Sequence, residues 1–391
     1  MPWVLLTLAC LAWLWATQGW QKQTGTTFIS RGAVLLCITF SLLDWGLLSA
    51  LRPLGVSFGP IGLALVVLAV MRLFLAASLV FSQRKASRTQ ALRQSGRRDT
   101  PLADRTVSRP AVIGLSVLLA LNLGLLALEV DGFYVEPQSL SITRLTVPGP
   151  ALGSGRPLRI VQLSDLHVER LTRRERDLAA QVAALQPDLI VLTGDYLNQE
   201  YVDDPASRAA GREVLAQLHA PQGVYAVRGT VDSPEVMAAL FDGLDITVLN
   251  DETRRLSLAE GDLYLVGVAD LQWTRGRQAD AAALKRLAQG VPPGAYTLLL
   301  YHTPDLIEAA SGAGINLYLA GHTHGGQIRL PLYGALVTLS AYGRRYQMGE
   351  YKVGPTTLYV SRGIGLEGMQ LPRVRFLCPP EVDIISLAAN P

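Results

Sequence analysis

The chain has 391 residues, 49% of them hydrophobic and 17% charged, with a mean hydropathy of +0.26. It is too long for one small domain and too apolar for an ordinary soluble protein. Its 36 glycines follow no three-residue period and its apolar content is high, which excludes collagen-like and disordered classes. The net charge of +3 hides an asymmetry: residues 1–130 carry 12 Lys and Arg against 4 Asp and Glu, and the remaining 261 carry 23 against 28. The basic excess belongs to the apolar part, where it reads as membrane orientation, and the acidic remainder offers no basic surface for nucleic acid.

Four apolar stretches predict a transmembrane region over residues 1–130: Trp3 to Ala16, Ala33 to Leu51, Ile61 to Phe81 and Ala111 to Val130. Crossing a hydrocarbon layer of about 30 Å takes roughly 20 helical residues, so the last three suffice and the first is short. A cleaved signal peptide is disfavoured, because no basic residue precedes the first stretch and no small-residue cleavage pattern follows it. Between the third and fourth stretches, residues 82–110 hold Arg84, Lys85, Arg88, Arg93, Arg97, Arg98, Arg105 and Arg109 against Asp99 and Asp104. The positive-inside rule makes this loop cytoplasmic and places everything after Asp131 outside. Asp44 and Arg72 fall near mid-depth of adjacent spans and are expected to pair. They are the only polar marks this reading assigns to the spans, too few for an ion path. Cys10, Cys37 and Cys378 form neither a disulfide framework nor a zinc-finger spacing.

After a linker over 131–154 the pattern becomes short β-rich apolar runs alternating with helical stretches such as Arg173 to Leu185 and Ala279 to Ala288, an α/β domain over 155–391. Five predicted strands end in groups able to do chemistry. Leu158 to Leu163 runs into Asp165 and His167, and Asp188 to Leu192 into Asp195. Gly223 to Val227 precedes Gly229-Thr230-Val231-Asp232, Tyr296 to Leu300 precedes His302, and Ile315 to Ala320 precedes His322 and His324. Each piece alone reads as a cap or turn. Together they hold four of the five histidines, all but His219, and the carboxyl ends of strands in an α/β sheet form one rim where such groups converge.

This ordered set, D-x-H, G-D, a G-N-H-D-like element, a lone His and G-H-x-H, resembles the calcineurin-like metallophosphoesterase superfamily over roughly residues 155 to 391. Gly321-His322-Thr323-His324-Gly325-Gly326-Gln327, Tyr359 to Gly365 and Cys378-Pro379-Pro380-Glu381 further resemble a bacterial membrane-linked branch that includes UDP-diacylglucosamine hydrolases. The apolar prefix is similar to the transmembrane protein with metallophosphoesterase domain arrangement. The resemblance implies a four-layer α/β/β/α sandwich and two divalent transition-metal ions, with imidazoles suiting Mn, Zn or Fe. It places one ion among Asp165, His167, Asp195 and His324, and the other among Asp195, His302, His322 and Thr230. A bridging hydroxide would attack a phosphoester or phosphoanhydride. The implied catalytic residues are Asp195 and Asp232.

The sequence departs from the family at Thr230 and Val231, which replace Asn and His. Val231 can neither ligate nor transfer a proton, which removes the family's leaving-group acid. The expected protein is a multi-pass cell-membrane phosphohydrolase whose catalytic domain is extracytoplasmic. Its partners are membrane lipids and a phosphorylated or pyrophosphate-containing substrate, lipid-linked or soluble. The alternative is a catalytically impaired metal-binding membrane module with a binding or organising role. With the native thiols replaced, a single cysteine within 82–110 should be shielded from an impermeant thiol reagent in intact cells, and one within 203–208 should react. The reverse labelling would invert the orientation.

Overall fold

The computed structural model describes residues 26–51, 61–94, 109–153, 155–272, 274–368 and 372–388. They form two compact units that divide at residues 131 and 132. The first contains three helices, α1 (Thr26–Leu51), α2 (Ile61–Gln94) and α3 (Arg109–Val130). Their apolar windows, Arg31–Ala50, Gly62–Ala86 and Val112–Gln138, are each long enough to cross a membrane. The apolar stretch at 3–16 lies outside the described residues. The segment from 82 onward, expected as a loop, continues α2 as far as Gln94. It contains no Gly or Pro and is rich in Gln, Arg and Ala, so nothing interrupts the helix where the apolar stretch ends.

Asp44 and Arg72 pair, with Arg72 Nε 2.7 Å from Asp44 Oδ2, and both are fully buried. The sequence reading undercounted the polar groups around them. Helix α3 adds Asn122, whose Oδ1 accepts from Arg72 Nη1 at 2.9 Å, and Glu129, 3.7 Å from Arg72. One buried guanidinium on α2 thus draws polar groups from each of the other two helices, since a charge removed from water keeps its cost low only when its donors are used.

The second unit is built on two six-stranded sheets. In chain order its elements are β1 (Ser141–Pro148), β2 (Leu158–Leu163), α4 (Arg173–Ala184), β3 (Leu189–Leu192), α5 (Pro205–Leu215), β4 (Val224–Ala226), α6 (Pro234–Phe241), β5 (Thr247–Val248), β6 (Glu252–Leu258) and β7 (Gly261–Gly267). Then come α7 (Arg277–Gln289), β8 (Tyr296–Leu300), α8 (Ile307–Gly312), β9 (Leu317–Ala320), β10 (Arg329–Leu330), β11 (Gly334–Ala335), β12 (Gly349–Val353), β13 (Thr356–Val360) and β14 (Glu381–Ala388). The first sheet runs β1-β14-β2-β3-β4-β5, the second β12-β13-β9-β8-β7-β6, and β10 pairs with β11 in a small hairpin. The central strands β2 to β5 and β7 to β9 are parallel within their sheets.

Side-chain alternation makes four layers. Leu158, Ile160, Leu189 and Val191 face one way and meet Leu263, Leu265, Leu298, Leu300, Leu317 and Leu319 of the other sheet. Val161, Leu163, Ile190 and Leu192 face the other way, against Leu178 and Val182 of α4, Val214 of α5 and Leu240 of α6. Leu299 and Tyr318 likewise pack on Leu284 of α7 and Ile307 of α8. Parallel strands covered on both faces read as continuous apolar runs, and that is the form these runs take. The fold is the α/β/β/α sandwich expected. The helix α4 begins with a capping box between Thr172 and Glu175, which supplies the first-turn donors that the helix itself leaves unpaired.

Leu298→Ala, between the sheets, should cost about 2–5 kcal/mol in denaturant unfolding of the detergent-solubilised chain, while Ile142→Ala at a 39% exposed position should cost far less. Equal losses would mean that the inter-sheet layer is not the core.

Candidate metal centre

Six side chains from the strand ends converge into two adjoining groups, Asp165 with His167 and His324, and Asp195 with His302 and His322. Within each group the ligand-type atoms lie within 4.8 Å of one another. Asp165 and His167 follow β2, Asp195 follows β3, His302 follows β8, and His322 and His324 follow β9, so both sheets contribute. His167 Nε2 lies 3.0 Å from His324 Nε2, and His302 Nε2 3.2 Å from His322 Nδ1. Both aspartates reach both groups. Asp165 Oδ1 is 3.4 Å from His324 Nε2 and 3.9 Å from His302 Nε2, while Asp195 Oδ2 is 3.0 Å from His302 Nε2 and 3.8 Å from His167 Nε2. All six residues are buried.

The electrostatics suit cations. His324 Nδ1 and His322 Nε2 are buried with no hydrogen-bond partner. Burial, reinforced by the charge of neighbouring histidines, pushes the His324 imidazole well below its usual range and His322 down to about 4, so both rings offer lone pairs. Burial raises the Asp165 carboxyl. Burial alone would lower His302, but the carboxylates of Asp195 and Asp165 override it and raise the ring. His302 Nδ1 lies 2.7 Å from the Thr193 carbonyl, a contact that turns Nε2 toward the carboxylates. Unpartnered imidazole nitrogens crowded against carboxylate oxygens are a donor set for divalent ions. They fit a pair of them.

The backbone is bent to this purpose. Asp165, His167, Asp195, His322 and His324 all adopt positive φ, between 40° and 70°, a region that non-glycine residues enter at a cost. Gly321 is bare because a Cβ there would lie 1.9 Å from Ser164 Oγ and 2.3 Å from Asp165 Oδ2.

The third motif is arranged differently from a ligand loop. Thr230 Oγ1 donates to Asp195 at 3.1 Å and Val231 N at 3.0 Å. Asp232 is buried beneath and accepts from the backbone N–H groups of Asp195, Tyr196 and Gly229 at 2.8, 3.1 and 2.8 Å. Burial, with Asp195's charge, raises its carboxyl to about 6. The Tyr196 hydroxyl donates to the Val227 carbonyl at 2.7 Å.

Two neighbours had no motif to announce them. Glu367 Oε2 lies 3.2 Å from His167 Nδ1, in the position from which a carboxylate orients a ligating imidazole. Asp270, three residues past β7, is buried with Oδ2 unpartnered, and burial lifts its carboxyl to about 6. Its place at a further strand end was the available signal; Glu367 follows a glycine-rich loop and had none.

An α/β/β/α sandwich with buried aspartates and histidines converging from both sheets defines a metal-dependent phosphoesterase. Residues 158–326 match the calcineurin-like phosphoesterase family model, and the chain belongs to that family. It is 33% identical to the uncharacterised metallophosphoesterase YkuE of Bacillus subtilis, over 66% of this chain and 88% of the relative. It is 32% identical to the transmembrane protein with metallophosphoesterase domain of Bos taurus, over 62% and 57%. It is 26% identical to the UDP-2,3-diacylglucosamine pyrophosphatase LpxG of Chlamydia trachomatis, over 66% and 92%. The protein is thus a metal-dependent phosphoric ester hydrolase.

Gly321→Ala should push Asp165 away and lower the metal retained per chain after dialysis, measured by plasma mass spectrometry. Gly312→Ala, where a Cβ meets nothing within 4 Å, should retain as much as the unsubstituted chain. Equal retention by both would detach Asp165 from metal binding.

Proposed function

We propose that the protein is a multi-pass cell-membrane enzyme whose extracytoplasmic domain, over 155–391, hydrolyses a pyrophosphate-type bond in a lipid-linked substrate. Asp165, His167 and His324 would hold one divalent ion, and Asp195, His302 and His322 the other. Such a pair of ions activates water as nucleophile at neutral pH and neutralises charge developing on the phosphoryl oxygens. Imidazole-rich sets favour Mn, Zn or Fe over Ca or Mg.

Around that centre, the chain's own residues orient rather than donate protons. The Thr230 hydroxyl and the Val231 amide fix the Asp195 carboxylate. Asp232 holds the backbone of Asp195 from below, which makes it a positioning residue, and Tyr196 is engaged with a backbone carbonyl on the far side. Glu367 orients His167.

The observation that carries the bond type is the non-titratable side chain at Val231. An alkoxide leaves poorly without a proton, and general-acid catalysis is typically worth about 10² to 10⁴ in rate. A phosphate or nucleoside monophosphate leaves an anhydride with its charge already stabilised and needs no acid. The resemblance to a UDP-2,3-diacylglucosamine pyrophosphatase supports the same choice, and the membrane-length helices support a lipid-linked substrate.

The test is a series of phosphodiesters graded by leaving-group pKa, alongside a UDP-linked lipid. Turnover should fall steeply with leaving-group pKa in the unsubstituted chain and less steeply in Val231→His. Asp195→Asn should abolish turnover of every substrate, and His219→Ala, on an exposed turn away from the centre, should leave it unchanged. A flat dependence in the unsubstituted chain would show that an acid is present and overturn the anhydride preference. Full turnover by Asp195→Asn would overturn the site.

A further inference from the structure

Beyond residue 131, ten large apolar side chains among the described residues are exposed, and six of them fall in one ten-residue segment: Leu330, Leu332, Tyr333, Leu336, Val337 and Leu339. None of the six joins a core cluster. Scattered exposed apolar residues are ordinary on a protein surface, but a contiguous group marks a surface that is covered in use. This group belongs to the β10–β11 hairpin and the irregular stretch after it, with the hairpin starting five residues beyond His324.

The segment is held at its base and bare at its tip. Gln347 Oε1 accepts from Arg329 Nη1 at 2.9 Å and from Ala335 N at 3.0 Å. Arg329 Nη1 also donates to the Gly325 carbonyl at 2.7 Å, tying the hairpin to the loop that carries His324. At the far end Asp305 accepts from Ser340 Oγ at 2.7 Å and from Ala341 N at 3.0 Å. Between these anchors Leu332 stands fully exposed with φ of 65°, an unfavourable backbone for a branched side chain in water.

The charges name the cover. From Arg329 to Arg345 there are three arginines and no acidic residue. Arg344 and Arg345 are exposed, and the Arg344 guanidinium lies 3.8 Å from the Tyr333 ring centroid and donates to the Tyr333 carbonyl. Aliphatic residues in and after a turn, with Arg344 stacked on Tyr333 of that same turn, match a lipid surface, where long basic side chains lay their stems along apolar groups and carry their charge up to a belt of anionic phosphates. A protein partner would satisfy the leucines equally, but it would not by itself call for exposed arginines beside them.

We infer that the 330–339 hairpin inserts into the headgroup and upper acyl region of an anionic bilayer, holding the metal groups beside the lipid surface. The inference rests on the membrane-anchored reading above, and it gives the enzyme direct access to a phosphate attached to a lipid.

The experiment uses the full chain in phosphatidylcholine nanodiscs containing phosphatidylglycerol, with native cysteines replaced and a fluorophore on a single cysteine at 332, 337, 74 or 217. Lipids brominated along the acyl chain report contact by quenching. Labels at 332 and 337 should be quenched about threefold more than one at 217. Replacing both Arg344 and Arg345 by Glu should abolish that excess in anionic discs. Quenching at 74, on a candidate span, with none at 337 would overturn the hairpin's insertion and leave the membrane reading intact. No quenching at 74 would overturn the membrane reading itself. Labels at 332 and 337 that are shielded from water without being quenched would overturn the lipid in favour of a protein cover. Undiminished quenching after the double Glu substitution would overturn the role given to the arginines.

Discussion

Six side chains that repel or compete with one another are packed where water cannot compensate them, and the catalytic domain is arranged around keeping them there. Two carboxylates and four imidazoles within a few ångströms have no stable arrangement of their own, because each oxygen and nitrogen lone pair needs a positive partner. The chain holds them by backbone. Asp165 N donates to the Gly194 carbonyl at 2.9 Å, His167 N to the Asp195 carbonyl at 3.1 Å, and Gly321 N to the His302 carbonyl at 2.7 Å. Each strand end is therefore fixed by the next one around the rim. The five positive-φ residues cost roughly 1–3 kcal/mol each, and the two-sided burial of the central strands offsets that strain.

The unit of membrane-length helices solves a related problem with different parts. Its buried Arg72, on α2, is met by Asp44 of α1 and by Asn122 and Glu129 of α3. Among its described residues no sheet supplies backbone donors, and helical N–H groups are used within the helix. A buried charge there must be met by side chains. A polar cluster that joins three helices also specifies their mutual register, as polar groups in coiled coils specify alignment.

Much of the catalytic fold was legible because parallel strands buried on both faces have an unambiguous signature, and because a histidine or aspartate after such a strand lands on the same rim as the others. Leu158–Leu163 and Tyr296–Leu300 occur at the limits read from the sequence. Neighbour relations between sheets were not legible. Glu367 meets His167 across two hundred residues, and Asn122 and Glu129 meet Arg72 only through helix packing. The end of α2 was misplaced because hydropathy marks where a bilayer ends, whereas a helix ends where its propensity fails. The apolar tip at 330–339 was overlooked for the opposite reason: in sequence it looks like a buried strand, and only burial distinguishes the two.

In the third motif the residues that hold Asp195 are separate from the residue that would hand a proton to a leaving group. Gly229 is retained because a Cβ there would lie 2.3 Å from Asp195 Oδ1. Asp232 is retained because three backbone N–H groups converge on its carboxylate. Neither requirement involves a proton passing to a leaving group, so neither is relaxed when the neighbouring imidazole is absent. Thr230 and Val231 then contribute what any residues with a short hydroxyl and a backbone amide can contribute, two donors to Asp195. Loss of an acid at this loop therefore need not imply loss of the metal centre. The centre depends on carboxylates held in place, whereas the leaving group's demand for a proton depends on which bond is broken. Keeping the first while discarding the second is what the proposed pyrophosphate-type bond requires, because its leaving group carries its own stabilised charge.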